Sequence, residues 1–427
     1  MTRGAAMTWF WQAWIAAIVF IFPVPHTIAL RNLLLLVGLV ALLWIGRKSL
    51  PKPAPWLKPA AWWLIALTTW IIFHSVAVAP APTLALDQFR ANWLVPLLLG
   101  ALPAWAATQL PPKHAARAVV LALAAHMIWL LGWQLKLWLD TGAWPFKATP
   151  FGGYDFHGTL NSFFLALLLA DRLAWTIGRY SPLALNQRLG WGLLFLSLVS
   201  DLALQSRNST TVSLFMLVAG SLVLANARSR HWRSIVVAIG MVSLLGAGSL
   251  GFDSRWQGLR ESAATGWSSD STYWMTAYDA TRPRTVSGTV LEESAYARAA
   301  WARQAINFIA EHPIGIGFGH DAFGRAVAMK YRHPGLGSSH SGWLDFALGT
   351  GLIGLGLLLA AGVVAIRSGW QQFHQRHDAP ALLLAFFVGG YLLRCLLDGH
   401  LSGWRLGLFA FITGVLIAAM KSPRTDS

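Results

Sequence analysis

Cysteine is almost absent from the chain. Cys395 is the only one, and it lies inside an apolar run. A single thiol gives no disulfide framework, and a cysteine-rich metal site is equally excluded. Charge is scarce as well: Asp, Glu, Lys and Arg make up 12% of 427 residues, and only 17 residues are acidic. So few charges cannot solvate an ordinary globule of this size. No Walker-type P-loop occurs, nor a Gly-x-Gly-x-x-Gly after a strand, nor a Gly-x-Ser-x-Gly elbow. Their absence argues against a P-loop nucleotidase, a dinucleotide enzyme and an α/β-hydrolase. Asp-x-Asp is missing too, which argues against a sugar donor held as a metal-bound nucleotide. There is no solenoid-type repeat and no low-complexity tract.

What the chain does have is hydrocarbon. It is 56% hydrophobic and carries 24 Trp, with a mean hydropathy of +0.51. That balance predicts an all-α polytopic membrane protein. A helical span needs about 20 apolar residues, and on that ruler there are about twelve candidates. They cover Trp9–Leu30, Asn32–Gly46, Ala60–Ala79, Asn92–Thr108, Ala115–Leu139, Thr159–Ile177, Leu189–Leu204, Thr210–Ala225, Ser234–Gly251, Trp343–Ile366, Pro380–Leu397 and Gly403–Met420. The first lacks a small-x-small cleavage site and is followed at once by another apolar run, so it reads as a retained span.

The net charge of +16 then describes topology rather than a nucleic-acid surface. Basic residues gather in alternate connectors: Arg47, Lys48, Lys52 and Lys58; Lys113 and Arg117; Arg179 and Arg188; Arg228, Arg230 and Arg233; Arg367 and Arg376; Lys421 and Arg424. The short connectors between them carry Arg31, Arg90, Lys147 and Arg207. The positive-inside rule therefore predicts cytoplasmic termini. Residues 1–251 form an N-terminal set of about nine spans by this reading, 252–342 a large loop on the outer side, and 343–427 about three spans and a short tail. The loop balances nine basic against eight acidic residues, so it is not a polybasic lipid-binding segment. Its first part is Ser/Thr/Gly-rich and reads as irregular. From Glu292 to Ala310 the apolar spacing predicts a helix, with acidic residues at its start and His312-Pro313 ending it.

Several polar residues stand out against this background. His340 precedes a span at the water–membrane boundary, where a neutral imidazole can take a proton from a hydroxyl. A solvated interfacial histidine fits the same position. Arg207 occupies a very short outer turn, Ser206-Arg207-Asn208-Ser209. Its guanidinium fork suits phosphate oxygens, and a snorkelling anchor is the plain alternative. Arg298 and Arg303 flank Trp301 on the loop helix; one can face a ligand while the other pairs with Glu292, Glu293 or Glu311. Arg394 and Asp398, one turn apart, read first as a pair that neutralises itself at the membrane edge. His312, His320 and His333 show no zinc spacing, so no metal and no cofactor are expected. Gly315-Ile316-Gly317 follows a helix-stopping proline and reads as a tight turn rather than a nucleotide cradle.

These stretches resemble the O-antigen ligase and polymerase superfamily of bacterial envelope biosynthesis. Ser206-Arg207-Asn208-Ser209 resembles its Ser-Arg-Gly signature. Arg298-Ala-Ala-Trp301-Ala-Arg303, followed by His312-Pro313-Ile314-Gly315-Ile316-Gly317, is similar to its Trp-helix and His-Pro-Leu-x-Gly-x-Gly segment. Ser339-His340-Ser341-Gly342-Trp343-Leu344 and Gly349-Thr350-Gly351-Leu352-Ile353-Gly354 resemble its final motifs, with Ser341 in place of the usual Asn and Gly349 in place of Glu. Ala85 to Arg90 shows a weaker likeness.

The resemblance implies a metal-independent, inverting ligase in the inner membrane with its site on the periplasmic side. Its donor would be a polysaccharide on undecaprenyl diphosphate, and its acceptor lipid A–core. It makes His340, Arg207 and Arg298 the catalytic candidates, and Arg303, Arg90, Trp301, His312 and Arg394 candidates for binding substrate. An O-antigen polymerase and a protein-glycosylating ligase share the same pattern. A lipid-oligosaccharide flippase is the alternative from another class, and it should show midplane ionisable sites and internal repeats.

Overall fold

The computed structural model describes the chain except for residues 1–2, 46–53, 179, 227–231, 253–257, 269–271, 276–283, 286–287, 289, 334–335 and 421–427. Arg47, Lys48, Lys52, Arg179, Arg228, Arg230, Lys421 and Arg424 lie outside the described residues, as does the side chain of Arg233. Of the remaining basic connector residues, Arg367 lies inside the helix Gly342–Arg376, and the others sit at or near helix ends. Lys58, Lys113, Arg117 and Arg188 open their helices, and Arg376 closes one.

The fold is helical throughout. In hydrocarbon a backbone must satisfy its own hydrogen bonds, and a helix does so within one segment. The helices in chain order are α1 (Arg3–Ile21), α2 (Ile28–Ile45), α3 (Lys58–Ala77), α4 (Pro82–Phe89), α5 (Val95–Ala107), α6 (Pro112–Thr141), α7 (Tyr154–Gly178) and α8 (Gln187–Leu204). They continue with α9 (Arg207–Asn226), α10 (Trp232–Phe252), α11 (Leu259–Ser268), α12 (Glu293–Glu311), α13 (Ala322–Tyr331), α14 (Gly342–Arg376), α15 (Ala379–Leu397) and α16 (Gly403–Ala419).

Among the described residues, six stretches are long and apolar enough to cross a membrane: Pro55–Ala77, Lys113–Thr141, Tyr154–Gly178, Arg207–Ala225, Gly342–Arg376 and Ala379–Leu397. Shorter apolar helices run over Ala5–Ile21, Ile28–Trp44, Ile239–Gly248 and Gly403–Ala419. Their outward faces stay apolar, as Leu33, Val40 and Leu43 on α2 show. At the centre stands α7, buried almost without interruption from His157 to Ala174. Its polar residues are matched inside: Asn161 accepts a hydrogen bond from Ser197 Oγ of α8 at 2.8 Å. Small residues let α5 and α16 close up. A Cβ on Gly414 would sit 2.0 Å from the Gly100 carbonyl oxygen, so the two backbones touch there.

Several boundaries differ from the sequence expectation. The span expected from Asn92 begins at Pro82, because a π turn over Arg90–Leu94 joins α4 to α5. The span expected to end at Ile366 continues to Arg376. It also breaks at Gly351, where φ is 75° and ψ 173°. That break exposes carbonyls, and the Gly-rich turn covers them. Ile316 N–H donates to Leu348 O at 2.9 Å and Gly317 N–H to Gly349 O at 3.1 Å, while Leu352 N–H donates to Pro313 O at 2.9 Å. Trp70 Nε1 donates to the Thr350 carbonyl at 2.8 Å. Gly315 is required here: its Cβ would fall 2.4 Å from Gly351 N. The turn is therefore a clamp on a broken helix, and its glycines are there for close approach.

The loop before α14 has its own small core, in which Trp274, Tyr296, Phe308 and Phe323 pack against Ala347 and Leu348 of α14. Helix α12 fills the predicted stretch. Glu292 caps it, its carboxylate accepting from Ala295 N–H at 2.7 Å, and His312 ends it.

Candidate active site

Four chain segments converge at one end of the bundle. The first is the start of α7 with Asp155, and the second is the α8–α9 turn with Ser206, Arg207 and Asn208. The third is the early part of α12 with Ser294 and Arg298. The fourth is the turn from Leu397 to His400 between α15 and α16. The first three enclose a cavity of about 140 Å³ lined by Asp155, Ser206, Arg207, Asn208, Ser294 and Arg298.

The α8–α9 turn is tight because Gln205 adopts a left-handed φ of 45° and α9 starts two residues later. The first turn of α9 therefore lines the cavity. A helix N-terminus carrying an arginine is suited to an anion. Arg207 is not a free snorkelling anchor. Its Nη2 donates to Glu292 Oε1 at 2.8 Å, and its side chain is largely buried. Glu292 was one of three acidic residues, with Glu293 and Glu311, offered as a partner for Arg298 or Arg303. It reaches instead across to α9 and ties the loop helix to the bundle.

The Leu397–His400 turn holds the site together. Arg298 Nη1 donates to the Leu397 carbonyl at 3.0 Å, and the same carbonyl accepts from Asn208 Nδ2 at 3.2 Å. Asp398 Oδ2 accepts from Asn208 Nδ2 at 3.0 Å and lies 3.1 Å from Arg394 Nη2. Its Oδ1 lies 3.8 Å from Arg298 Nη2. The Asp398 carbonyl accepts from Gly342 N–H at 3.0 Å, which fastens the turn to the start of α14. Behind it, His400 hydrogen-bonds Thr159 Oγ1 at 2.7 Å, and its carbonyl accepts from Tyr391 Oη at 2.6 Å.

His340 stands just before that helix start. Ser339 N–H donates to Asp345 Oδ1 at 2.9 Å on one side, and the Gly342 bond to Asp398 holds the other. Pinned between them, His340 takes a left-handed φ of 57°. For a residue with a Cβ this costs roughly 1–3 kcal/mol, which the surrounding bonds offset. The imidazole lies flat on Trp301, with ring centroids 5.0 Å apart and planes 16° from parallel. Trp301 is itself fixed by Nε1 donating to the Trp274 carbonyl at 3.1 Å. The outer face of His340 remains open. Packing on its other sides, and then the nearby Arg298 charge, push its pKa below the ordinary histidine value, while Asp398 and Asp155 pull it back. The ring is thus held neutral, and able to accept a proton, around neutral pH.

The other expected residues fall elsewhere. Arg303 does not line the cavity. Arg90 is exposed and pairs with Asp87 at 3.5 Å. His312 is exposed at the end of α12, and Trp301 presents a face to His340. Arg394 is fully buried beneath Asp398, in the i, i+4 pair expected for it. Asp398, Asn208 and Asp155 were not singled out as site residues. The only signal for Asp398 in the chain is its spacing from Arg394.

The fold and site thus define a helical membrane protein with an arginine-bearing polar cavity where its helices end. Residues 192–359 match the family model of the O-antigen ligases, from within α8 to within α14. That segment contains Arg207, Arg298, Trp301 and His340, and through it the chain is similar to the O-antigen ligases. That match supports a glycosyltransferase-like activity on a lipid-linked polysaccharide. No curated protein matches the chain.

Proposed function

We propose that the protein is a ligase that transfers polysaccharide from undecaprenyl diphosphate to a hydroxyl of lipid A–core, on the periplasmic face of the bacterial inner membrane. The observation that carries this reading is Arg207 and Arg298 on one cavity, with a neutral, stacked imidazole beside it. In this chemistry the acceptor oxygen attacks the anomeric carbon and the bond from that carbon to the diphosphate oxygen breaks. The departing diphosphate keeps the bonding pair, and the hydroxyl proton passes to His340. The two guanidinium groups meet the charge that grows on the leaving group, so no metal ion is called for. Attack opposite the leaving group inverts configuration.

The topology that goes with this reading has twelve spans. The ten apolar stretches are joined by the α4–α5 helix and by α8. An even number puts both termini on one side, and the basic connectors make that side cytoplasmic. Residues 252–342 then form the periplasmic loop, between an N-terminal set of spans at 1–251 and a C-terminal set at 343–427. The polar groups gather at one end of the bundle, which favours an enzyme over a flippase.

The test is to incubate the purified protein with lipid-linked polysaccharide and lipid A–core. Formation of the joined product, undiminished in EDTA, is expected. A lengthened lipid-linked polysaccharide in its place would identify a polymerase, and strict dependence on a divalent ion would contradict the mechanism.

A further inference from the structure

A second cavity opens beyond the His340 segment. It has a volume of about 180 Å³ and is lined by His320, Ser338, Asp345, Phe346, Leu401 and Arg405. Two buried polar atoms in its wall, Asp345 Oδ2 and Arg405 Nε, have no hydrogen-bond partner among the described residues. Asp345 is only 5% exposed. A buried carboxylate oxygen and a buried guanidinium N–H left unmatched cost free energy unless something polar meets them. Arg405 is steadied by the rings of Phe156 and Trp404, at 5.5 and 5.4 Å.

Leu401 also walls a third space. This is an apolar crevice of about 410 Å³ between α3, α5, α14, α15 and α16. Small residues leave the room: Ala61, Ala101, Ala104 and Ala361 all line it. Along α16 it runs from Leu406 to Ile417, roughly 16 Å of helix rise, or about one leaflet of hydrocarbon. A polar chamber with a cation and a carboxylate, set over an apolar slot one leaflet deep, has the shape of an anionic lipid. The head fits the chamber and a chain fits the slot.

We propose that this chamber and crevice bind the acceptor lipid, with its phosphorylated sugar headgroup at Arg405 and Asp345 and an acyl chain beside Ala361 and Ala104. The proposal rests on the ligase reading above. It assigns the two substrates to opposite sides of His340, which is within electrostatic reach of Arg298 and Asp155 on one side and Arg405 on the other. A polyprenyl chain is several times longer than the slot, whereas an acyl chain matches it.

The full chain in phospholipid bilayers tests this in two ways. Ala361→Phe and Ala104→Phe fill the slot, and each should raise KM for lipid A–core about tenfold while KM for the lipid-linked donor stays put. A rise in the donor KM instead, or no change in either, overturns the assignment. A photoreactive benzoylphenylalanine replacing Ala361 gives a readout free of turnover. Irradiation with both substrates present should yield an adduct carrying the mass of the acylated acceptor. A polyprenyl adduct, or bulk phospholipid alone, contradicts the proposal. If the wild-type protein forms no joined product at all, it is the ligase reading that fails.

Discussion

The indole of Trp301 lies parallel to the imidazole of His340, with ring centroids 5.0 Å apart. One ring belongs to the loop helix and the other to the segment that enters α14, so the stack joins the two parts of the protein at the proposed base. Offset stacking is worth about 0.5–1.5 kcal/mol. Trp301→Ala should therefore lower kcat by about threefold to tenfold, with membrane insertion unchanged. Trp301→Phe, which keeps a ring face, should recover most of the loss. Equal activity in the two variants would remove the stack from the account.

The pH dependence of kcat/KM should report His340. In the proposed mechanism its neutral form is the base, so the rate should rise as pH climbs through a pKa below the ordinary 6.5 and then level off. Arg298 lowers that pKa and Asp398 raises it. Arg298→Gln should move the acid limb to higher pH, and Asp398→Asn should move it lower. Both variants will be slower, but the direction of each shift is read from the profile and not from the rate.

His400 bears on stability. It is almost fully buried, and desolvation followed by the Arg394 and Arg405 charges holds its pKa well below the ordinary value. The folded protein keeps it neutral while the unfolded chain protonates it. Its contribution is thus complete above about pH 6.5 and is lost as pH falls below that. The melting temperature should drop between roughly pH 6.5 and 5, and His400→Asn should flatten that slope. An equally steep fall in the variant would assign the acid sensitivity to other groups.

Much of the helical order was legible in the chain, because spans announce themselves by apolar length. Helix α12 was legible at both ends, where a carboxylate caps its start and His312-Pro313 stops it. The break at Gly351 was not. A glycine in an apolar run looks like any packing glycine, and its partner is a clamp near residue 315, brought in only by the fold. Arg207 could be picked out as an arginine in a costly place, His340 by its position at the head of a span, and Arg298 only together with Arg303, beside Trp301. Their organiser could not: Asp398 is bonded to Asn208, which lies 190 residues away in the chain, and sequence spacing carries no trace of such a contact. Glu292 was only one of three partners offered for Arg298 or Arg303, and it pairs with Arg207 across the cleft.

The central claim is that a neutral imidazole and an arginine on α9 carry out metal-free transfer from a diphosphate. Its most direct test is the joined-product assay on purified His340→Ala and Arg207→Ala, each first shown to be folded in the membrane. Loss of a general base should slow transfer about 10²–10⁴-fold, and loss of one charge-stabilising donor about 10²–10³-fold. Joined product at near wild-type rate from either variant would contradict the account.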